Sequence, residues 1–465
     1  MTDVQTAPVP RRNLELALLL LALIVGGAAF YLVGSASEES QNSSFITQVS
    51  IMAALALVMH ILLRIFAKYA DPLILPITVA LNSLGLAMIH RIDIARGSTQ
   101  SSRQLIWTAL AILVAGIVLW AVKDHRILRR FTYIALVVSI LLLISPMIPK
   151  LGVTINGARI WIGFAGFSLQ PGELAKITLS IFFAGYLSSN RDLILMAGRK
   201  FGPIQLPRIR DLAPLVIGWL LSIGVLVVQR DLGSGILFFG LFILMIYVAT
   251  ARISWVLIGL LMVVAGGIFA GLTMGHVERR IDVWLNAFDP EIYQAAYGSR
   301  QIVDGLFGMA DGGLFGTGLG GGSPYRVPLA NSDMIIASFG EEIGLIGVTA
   351  IVLLFMLLVS RGLRAALGSR DAFGKLLASG LAFTLGLQTV VIIAGVTRLI
   401  PLTGLATPFM AAGGSSLLSN WIIIALLLLI SHNARRPMNG TVGPTDEIAT
   451  PGTRINRLKD RKEVA

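Results

Sequence analysis

Residues 212–250 read LAPLVIGWLLSIGVLVVQRDLGSGILFFGLFILMIYVAT, and the number of membrane crossings turns on them. The run is about twice the ~20 apolar residues that one helix needs to cross a bilayer. Gln229-Arg230-Asp231 interrupts it near the middle. Charged side chains are costly within a bilayer unless they are paired or face a cavity. A surface Arg–Asp turn between two crossing helices places them at least cost. One helix instead of two would carry every later connection to the opposite side of the membrane.

Working outward, apolar runs lie near 14–34, 46–66, 72–90, 104–122, 131–148 and 173–189 before this stretch. Others follow near 253–274, 334–360, 376–397 and 405–430. With both halves of 212–250 the total is about twelve, and the predicted fold class is an all-α polytopic membrane protein. The composition agrees. The chain of 465 residues is 55% hydrophobic and 13% charged, where a soluble domain carries about 25% charged residues. The net charge of +12 does not point to nucleic acid, because the basic residues lie between apolar runs and at the termini. That distribution suits membrane topology and anionic lipid. The chain has no cysteine, which excludes disulfides and thiolate-held metals, and His60, His90, His125, His276 and His432 are scattered without metal-ligand spacing. The first apolar run follows Arg11 and Arg12 and exceeds a signal-peptide core of about 7–15 residues. It reads as an uncleaved first helix.

Charge sets the orientation. With the N-terminus in the cytoplasm, the inner connections hold Arg64 and Lys68; Lys123, Arg126, Arg129 and Arg130; Arg191, Arg199, Lys200, Arg208 and Arg210; and Arg361, Arg364, Arg370 and Lys375. Residues 1–13 and the basic 434–465 become cytoplasmic tails around a transmembrane domain of 14–433. The connections at 149–172 and 275–333 then face outward. The second, between helices 9 and 10, is the longest polar interval between the first and last apolar runs and the expected seat of function.

Several polar residues need an explanation. The outer connection preceding the sixth run contains NGARIWIGFAGFSLQPGE at 156–173, with Arg159, Gln170 and Glu173; Glu173 and Lys176 share a helix face three residues apart. In the long loop, Arg279 and Arg280 suit a phosphate or pyrophosphate, because guanidinium forks match such anions, although snorkelling is the plainer reading. Asp289-Pro290 offers a carboxylate for acid–base chemistry, or only a turn. Asp333 closes the loop, and Glu341 and Glu342 lie within the next apolar run, where carboxylates default to functional candidates. Arg398, Ser415 and Ser416 sit on the outer side of the last two helices and can line the same cavity. Gly316-Thr317-Gly318-Leu319-Gly320 superficially matches a dinucleotide fingerprint, but no strand or βαβ unit surrounds it, so that reading is rejected.

These pieces, in this order, resemble the SEDS family of bacterial membrane proteins (shape, elongation, division and sporulation). The matches are NGARIWI with QPGELAK at 156–176, RDLGSG at 230–235, Trp284 with Phe288-Asp289-Pro290, GLFGTGLGGG at 313–322, SDMIIASFGEEIG at 332–344, and RLIPLTGLATPFMAAGGSSLL at 398–418. They are closer to the RodA branch than to the FtsW branch, with two spans beyond a ten-helix core. The resemblance implies a glycosyltransferase that polymerises lipid II, carried on undecaprenyl pyrophosphate, into peptidoglycan strands at the outer face of the bacterial cytoplasmic membrane, for elongation and cell shape. It assigns the essential loop carboxylate to Asp289, acting as general base. It implies a class B penicillin-binding protein as partner, with membrane lipids around it and no nucleic acid. The resemblance is compatible with a divalent cation, magnesium or manganese, aiding pyrophosphate departure, and implies no other cofactor. Where the family often reads GTGYQ after its Asp-Pro, the equivalent here is Gly298-Ser299-Arg300-Gln301, which makes Gln301 a substrate-contact candidate. The alternatives from other classes are a lipid-linked precursor flippase, a division-specific polymerase of the FtsW type, and a scaffold for the transpeptidase.

Overall fold

The computed structural model describes residues 10–36, 42–155, 158–164, 167–190, 198–201, 204–207 and 209–437. Its helices are α1 (Arg12–Ser35), α2 (Asn42–Phe66), α3 (Ile74–Arg96), α4 (Gln100–Val122), α5 (Thr132–Ile144), α6 (Pro171–Ser189), α7 (Ile209–Val228), α8 (Leu232–Thr250), α9 (Ser254–Thr273), α10 (Gly275–Leu285), α11 (Pro290–Gln294), α12 (Arg300–Gly312), α13 (Ile335–Gly368), α14 (Ala372–Val396) and α15 (Gly414–Arg435). A 3-10 helix, His125–Phe131, leads into α5. Among the described residues ten helices are long and apolar enough to cross a membrane. The apolar run 212–250 does form two helices. Arg230 turns between them in the left-handed region (φ 61°), and Asp231 caps α8 through the Ser234 amide at 3.0 Å.

The last run begins later than its hydropathy suggests, because 401–407 is irregular and α15 starts only at Gly414. Pro401, Gly404 and Pro408 break the backbone there. The connection before α6 is not plain loop. It is a three-stranded antiparallel meander of β1 (Gly152–Ile155), β2 (Ala158–Phe164) and β3 (Phe167–Leu169). A two-stranded hairpin, β4 (Gly198–Phe201) with β5 (Ile204–Pro207), precedes α7. The loop 275–333 is largely helical, from α10 to α12.

Polar contacts sort the helix ends into two groups. At one end, Arg12 donates to the Ala70 carbonyl, Asp71 pairs with Arg361 (2.6 Å) and Arg435, and His125 meets Asp371 at 2.9 Å. At the other end, the Gln170 amide donates to Ser415 Oγ (2.8 Å), and Arg91 donates to the carbonyls of Gly320 and Gly322 (3.1 and 2.7 Å). The loop α10–α12 belongs to this second end. Helices α3 and α15 are buried on nearly all sides, while α9 is almost bare, with only Gly259 buried. Bare apolar surface of this kind is what lipid covers.

The glycine run 312–322 is explained by α13. That helix breaks at Gly344 (φ 65°, ψ −174°). The break frees backbone groups, and the glycine run takes them up. Thr317 and Gly318 amides donate to the carbonyls of Glu341 and Glu342 (3.0 and 2.9 Å), and Leu345 and Ile346 amides donate back to Gly313 and Leu314 (2.9 and 3.1 Å). Backbone lies against backbone, so side chains are excluded. A Cβ on Gly316 would sit 2.3 Å from the Glu342 carbonyl, whereas one on Gly313 meets nothing within 4 Å. Gly316→Ala is therefore expected to destabilise by about 2–4 kcal/mol and Gly313→Ala, strained only in φ, by about 1 kcal/mol. Thermal unfolding in detergent reads the difference.

Candidate functional site

Helix α6 opens with Pro171 at its first turn, which suits a helix start, and carries Glu173 and Lys176 inward. Lys176 is 1% exposed. Its ammonium donates to Glu173 Oε2 (2.6 Å), Asn420 Oδ1 (3.0 Å) and Gln388 Oε1 (3.1 Å), which uses all three of its protons. Ser419 Oγ donates to the same Glu173 oxygen at 3.0 Å, and the Asn420 amide donates to Ser416 Oγ at 3.2 Å. Gln388 closes the cluster by donating to the Ala406 carbonyl at 2.8 Å. A buried pair survives only when its remaining hydrogen-bonding groups are met in this way. Asn420 and Gln388 were not among the sequence candidates. Their signal was available: each is an amide within an apolar span.

Beside this cluster lies a second group, Asp231, Arg280 and Asp333, in mutual electrostatic reach. Burial pushes the Asp231 carboxyl up, opposed by the Ser234 amide and Arg280. Burial pushes Asp333 up to about 6, against the pull of Arg280. Arg280 is half-buried, and its hydrogen bonds are long, 3.3 and 3.4 Å to the carbonyls of Leu402 and Thr403. Asp231, read from sequence as a turn residue, is thus also part of the site.

The segment α10–α12 carries Arg280 into this group. Arg398 fastens it, donating to the carbonyls of Trp284 (2.8 Å) and Leu285 (2.7 Å) and accepting from the Trp284 indole at 3.0 Å. Its guanidinium stacks over Phe288 at 5.1 Å. Ser299 Oγ donates to the carbonyl of the fully buried Ala287. Between these anchors sits Asp289. It caps α11, accepting from the Glu291 amide at 2.8 Å, and its side chain is exposed. Among the described residues no ion pair engages it. The carboxylate sits between these anchors with one oxygen, Oδ1, accepting from the Glu291 amide.

The other candidates have different placements. Arg279 donates to the Ala296 carbonyl and so ties the loop to itself. Gln301 is half-buried on the first turn of α12. Glu341 accepts from the Ser323 amide, and Glu342 accepts from Gly320 N (3.0 Å) and pairs with Arg91 (3.0 Å). Both hold the glycine run. Arg159 is exposed on β2, donating to the Ile148 carbonyl at 3.3 Å. Ser415 binds the Gln170 backbone, and Ser416 belongs to the Lys176 cluster.

Asp333 carries a pH prediction. Its carboxyl ionises near 6 rather than its ordinary 3.8. As pH falls through 6 it gains a proton and no longer offsets the charge on Arg280. In the fold, a raised carboxyl pKa favours the protonated state, so its stabilising contribution is present below about 4 and lost as pH climbs through 6. The activity profile is expected to show a limb near pH 6 that Asp333→Asn removes, while Asp282→Asn, on the exposed loop, leaves it.

The fold and the site together define an integral membrane protein with a cluster of buried and half-buried polar groups at one end of its helix bundle, bordered by an anchored helical segment. A family model described as "Cell cycle protein", FTSW_RODA_SPOVE, matches residues 71–436. The chain belongs to this family. The peptidoglycan glycosyltransferase RodA of Mycobacterium tuberculosis is 44% identical over 459 residues, covering 97% of both chains. Stage V sporulation protein E of Bacillus subtilis is 33% identical over 376 residues, covering 78% of this chain and 98% of that one. In a solved structure on the coordination of polymerization and crosslinking by a peptidoglycan synthase complex, one chain aligns with TM-score 0.64 and 25% identity, covering 78% of this chain and 98% of that one. The chain is a glycosyltransferase and sides with the RodA branch of its family.

Proposed function

We propose that the chain polymerises lipid II into peptidoglycan glycan strands at the outer face of the cytoplasmic membrane, in elongation. The observation that carries this reading is Asp289, an exposed carboxylate on the anchored segment that also bears a loosely held guanidinium, Arg280, within a family of such enzymes. In this reading Asp289 takes the proton from the acceptor sugar 4-hydroxyl as that oxygen bonds to the donor's anomeric carbon. The bond from that carbon to the pyrophosphate breaks, and the α-linked donor becomes a β-1,4 link by inversion. Arg280 offsets charge on the departing pyrophosphate. Lys176 is committed to three acceptors, which makes it a support rather than a ligand. Among the described residues no three His, Asp or Glu converge as a metal site. A divalent cation would take most of its ligands from the pyrophosphate.

The reading uses twelve spans, the ten apolar helices together with α6 and α7. Helix α6 has 19 residues, about 28 Å at a rise of 1.5 Å, close to the ~30 Å hydrocarbon core. Its Glu173–Lys176 pair lowers its hydropathy. The sorting of helix ends supports an even number of crossings, with both termini cytoplasmic and α10–α12 outside. Helices α1 and α2 precede the segment matched by the family model and are the two additional spans. The partner in this reading is a class B penicillin-binding protein. The test is purified full-length protein given labelled lipid II in detergent, with and without that partner, and the same protein in sealed vesicles. Polymer supports the proposal. Translocation across the vesicle without polymer would mark a flippase instead.

A further inference from the structure

The 3-10 helix His125–Phe131 and the start of α14 enclose a depression of about 390 Å³ at the end opposite the Lys176 and Arg280 groups. Its walls are Arg126, Arg129 and Arg130, with Asp371 and Phe373. All three arginines are exposed. Among the described residues Arg126 has one long side-chain contact, 3.4 Å to Asp371, and Arg129 meets a neutral partner, Ser189 Oγ, at 3.2 Å. Asp371 offsets only one of the three charges, through Arg126, and its oxygens also accept from groups behind it. The buried His125 donates from Nε2 to Oδ2 (2.9 Å), with its Nδ1 accepting from Asn433 (3.1 Å), and the Gly374 amide donates to Oδ1 (2.7 Å). The imidazole is thereby fixed as one tautomer and forms part of a rigid wall. Three guanidiniums held this close carry a standing repulsion that an anion would relieve.

The surroundings say which kind of anion. Phe131, Ile134 and Leu141 are 46%, 56% and 61% exposed, and they follow one another at helical spacing down α5. Ile127, also exposed, adds to the same margin. The basic depression is thus continuous with a bare apolar face running along a membrane-crossing helix. A soluble anion would use only the first part; a lipid uses both. Basic pockets between transmembrane helices on the cytoplasmic side suit phosphate-bearing headgroups, and guanidinium forks match phosphate oxygens.

We propose that this depression is a specific site for an anionic phospholipid, its phosphate headgroup between Arg126, Arg129 and Arg130 and its acyl chains along the exposed face of α5. The leaflet rests on the orientation proposed above, but the binding does not. The site is remote from the Lys176 and Arg280 groups, and the variants below touch none of the residues placed there.

The test uses the full chain in nanodiscs of phosphatidylethanolamine doped with phosphatidylglycerol or cardiolipin, reading co-purified lipid by mass spectrometry after detergent extraction. Enrichment of the anionic lipid over phosphatidylethanolamine is expected. The triple variant Arg126→Gln, Arg129→Gln, Arg130→Gln should lose most of it, since each basic residue near a lipid surface changes affinity about fivefold. The control is Arg364→Gln, an exposed arginine at the same end of the bundle. It should retain enrichment. Equal loss in the control and the triple variant means diffuse attraction and overturns the site. Unchanged enrichment in the triple variant overturns it as well. Displacement of the lipid by inorganic pyrophosphate at equal concentration would show a free-anion site and overturn the lipid assignment. Failure of the polymerisation assay would leave all of these readouts intact.

Discussion

Asp289→Asn is expected to yield a folded, membrane-inserted protein that makes no detectable polymer from lipid II. The asparagine keeps an acceptor for the Glu291 amide, and amides cap helices about as well as carboxylates. The turn is also pinned from both flanks, by Arg398 on Trp284, Leu285 and Phe288 and by Ser299 on Ala287. What the substitution removes is the capacity to take a proton. A positioned general base contributes about 10²–10⁴ in rate, and the loss should fall on kcat with substrate binding retained. Gel resolution of labelled product, beside a thermal melt of the same sample, checks both halves. Wild-type polymer from the variant would remove Asp289 from the chemistry.

Lys176→Met should have the largest effect on stability. The ammonium satisfies Glu173, Gln388 and Asn420 at once, and nothing else in the cluster carries positive charge. Its loss leaves a buried carboxylate uncompensated, a situation that costs about 3–5 kcal/mol. The double variant Glu173→Gln, Lys176→Met should recover much of that, because neutral groups of similar shape are cheaper to bury than one unpaired charge. Melting temperatures of the two variants in detergent decide the matter. A single variant as stable as the parent would mean that water reaches Glu173.

How much of this could be read from the chain alone differs by element. Spans were legible wherever an apolar run ended in charge, and the division of 212–250 at Arg230-Asp231 followed from the cost of placing those charges in lipid. The meander at 152–169 was not legible as strands. Its segments are three to seven residues long, and the run before Pro171 reads equally as an interfacial loop. Asp289 was visible through its Asp-Pro turn and became specific only through its family pattern. The Lys176 cluster was half visible. Glu173 and Lys176 share a helix face, but Gln388 and Asn420 come from helices more than 200 residues later, and no local pattern announces such a meeting. Glu341 and Glu342 stood out as carboxylates in an apolar run. Their engagement with the glycine run follows from the break at Gly344, which opens backbone groups that the sequence shows only as one more glycine.

Asp71 adds a consequence for how the protein is made. It is fully buried, and its ionic partners arrive 290 and 364 residues later, as Arg361 and Arg435. Ribosomes add about 5–20 residues per second, so the carboxylate waits roughly 20–70 s for its second guanidinium. Until then the ion-pair network around Asp71 is incomplete, with Arg361 in place before Arg435. The network around Asp71 can close fully only in a chain translated through Arg435.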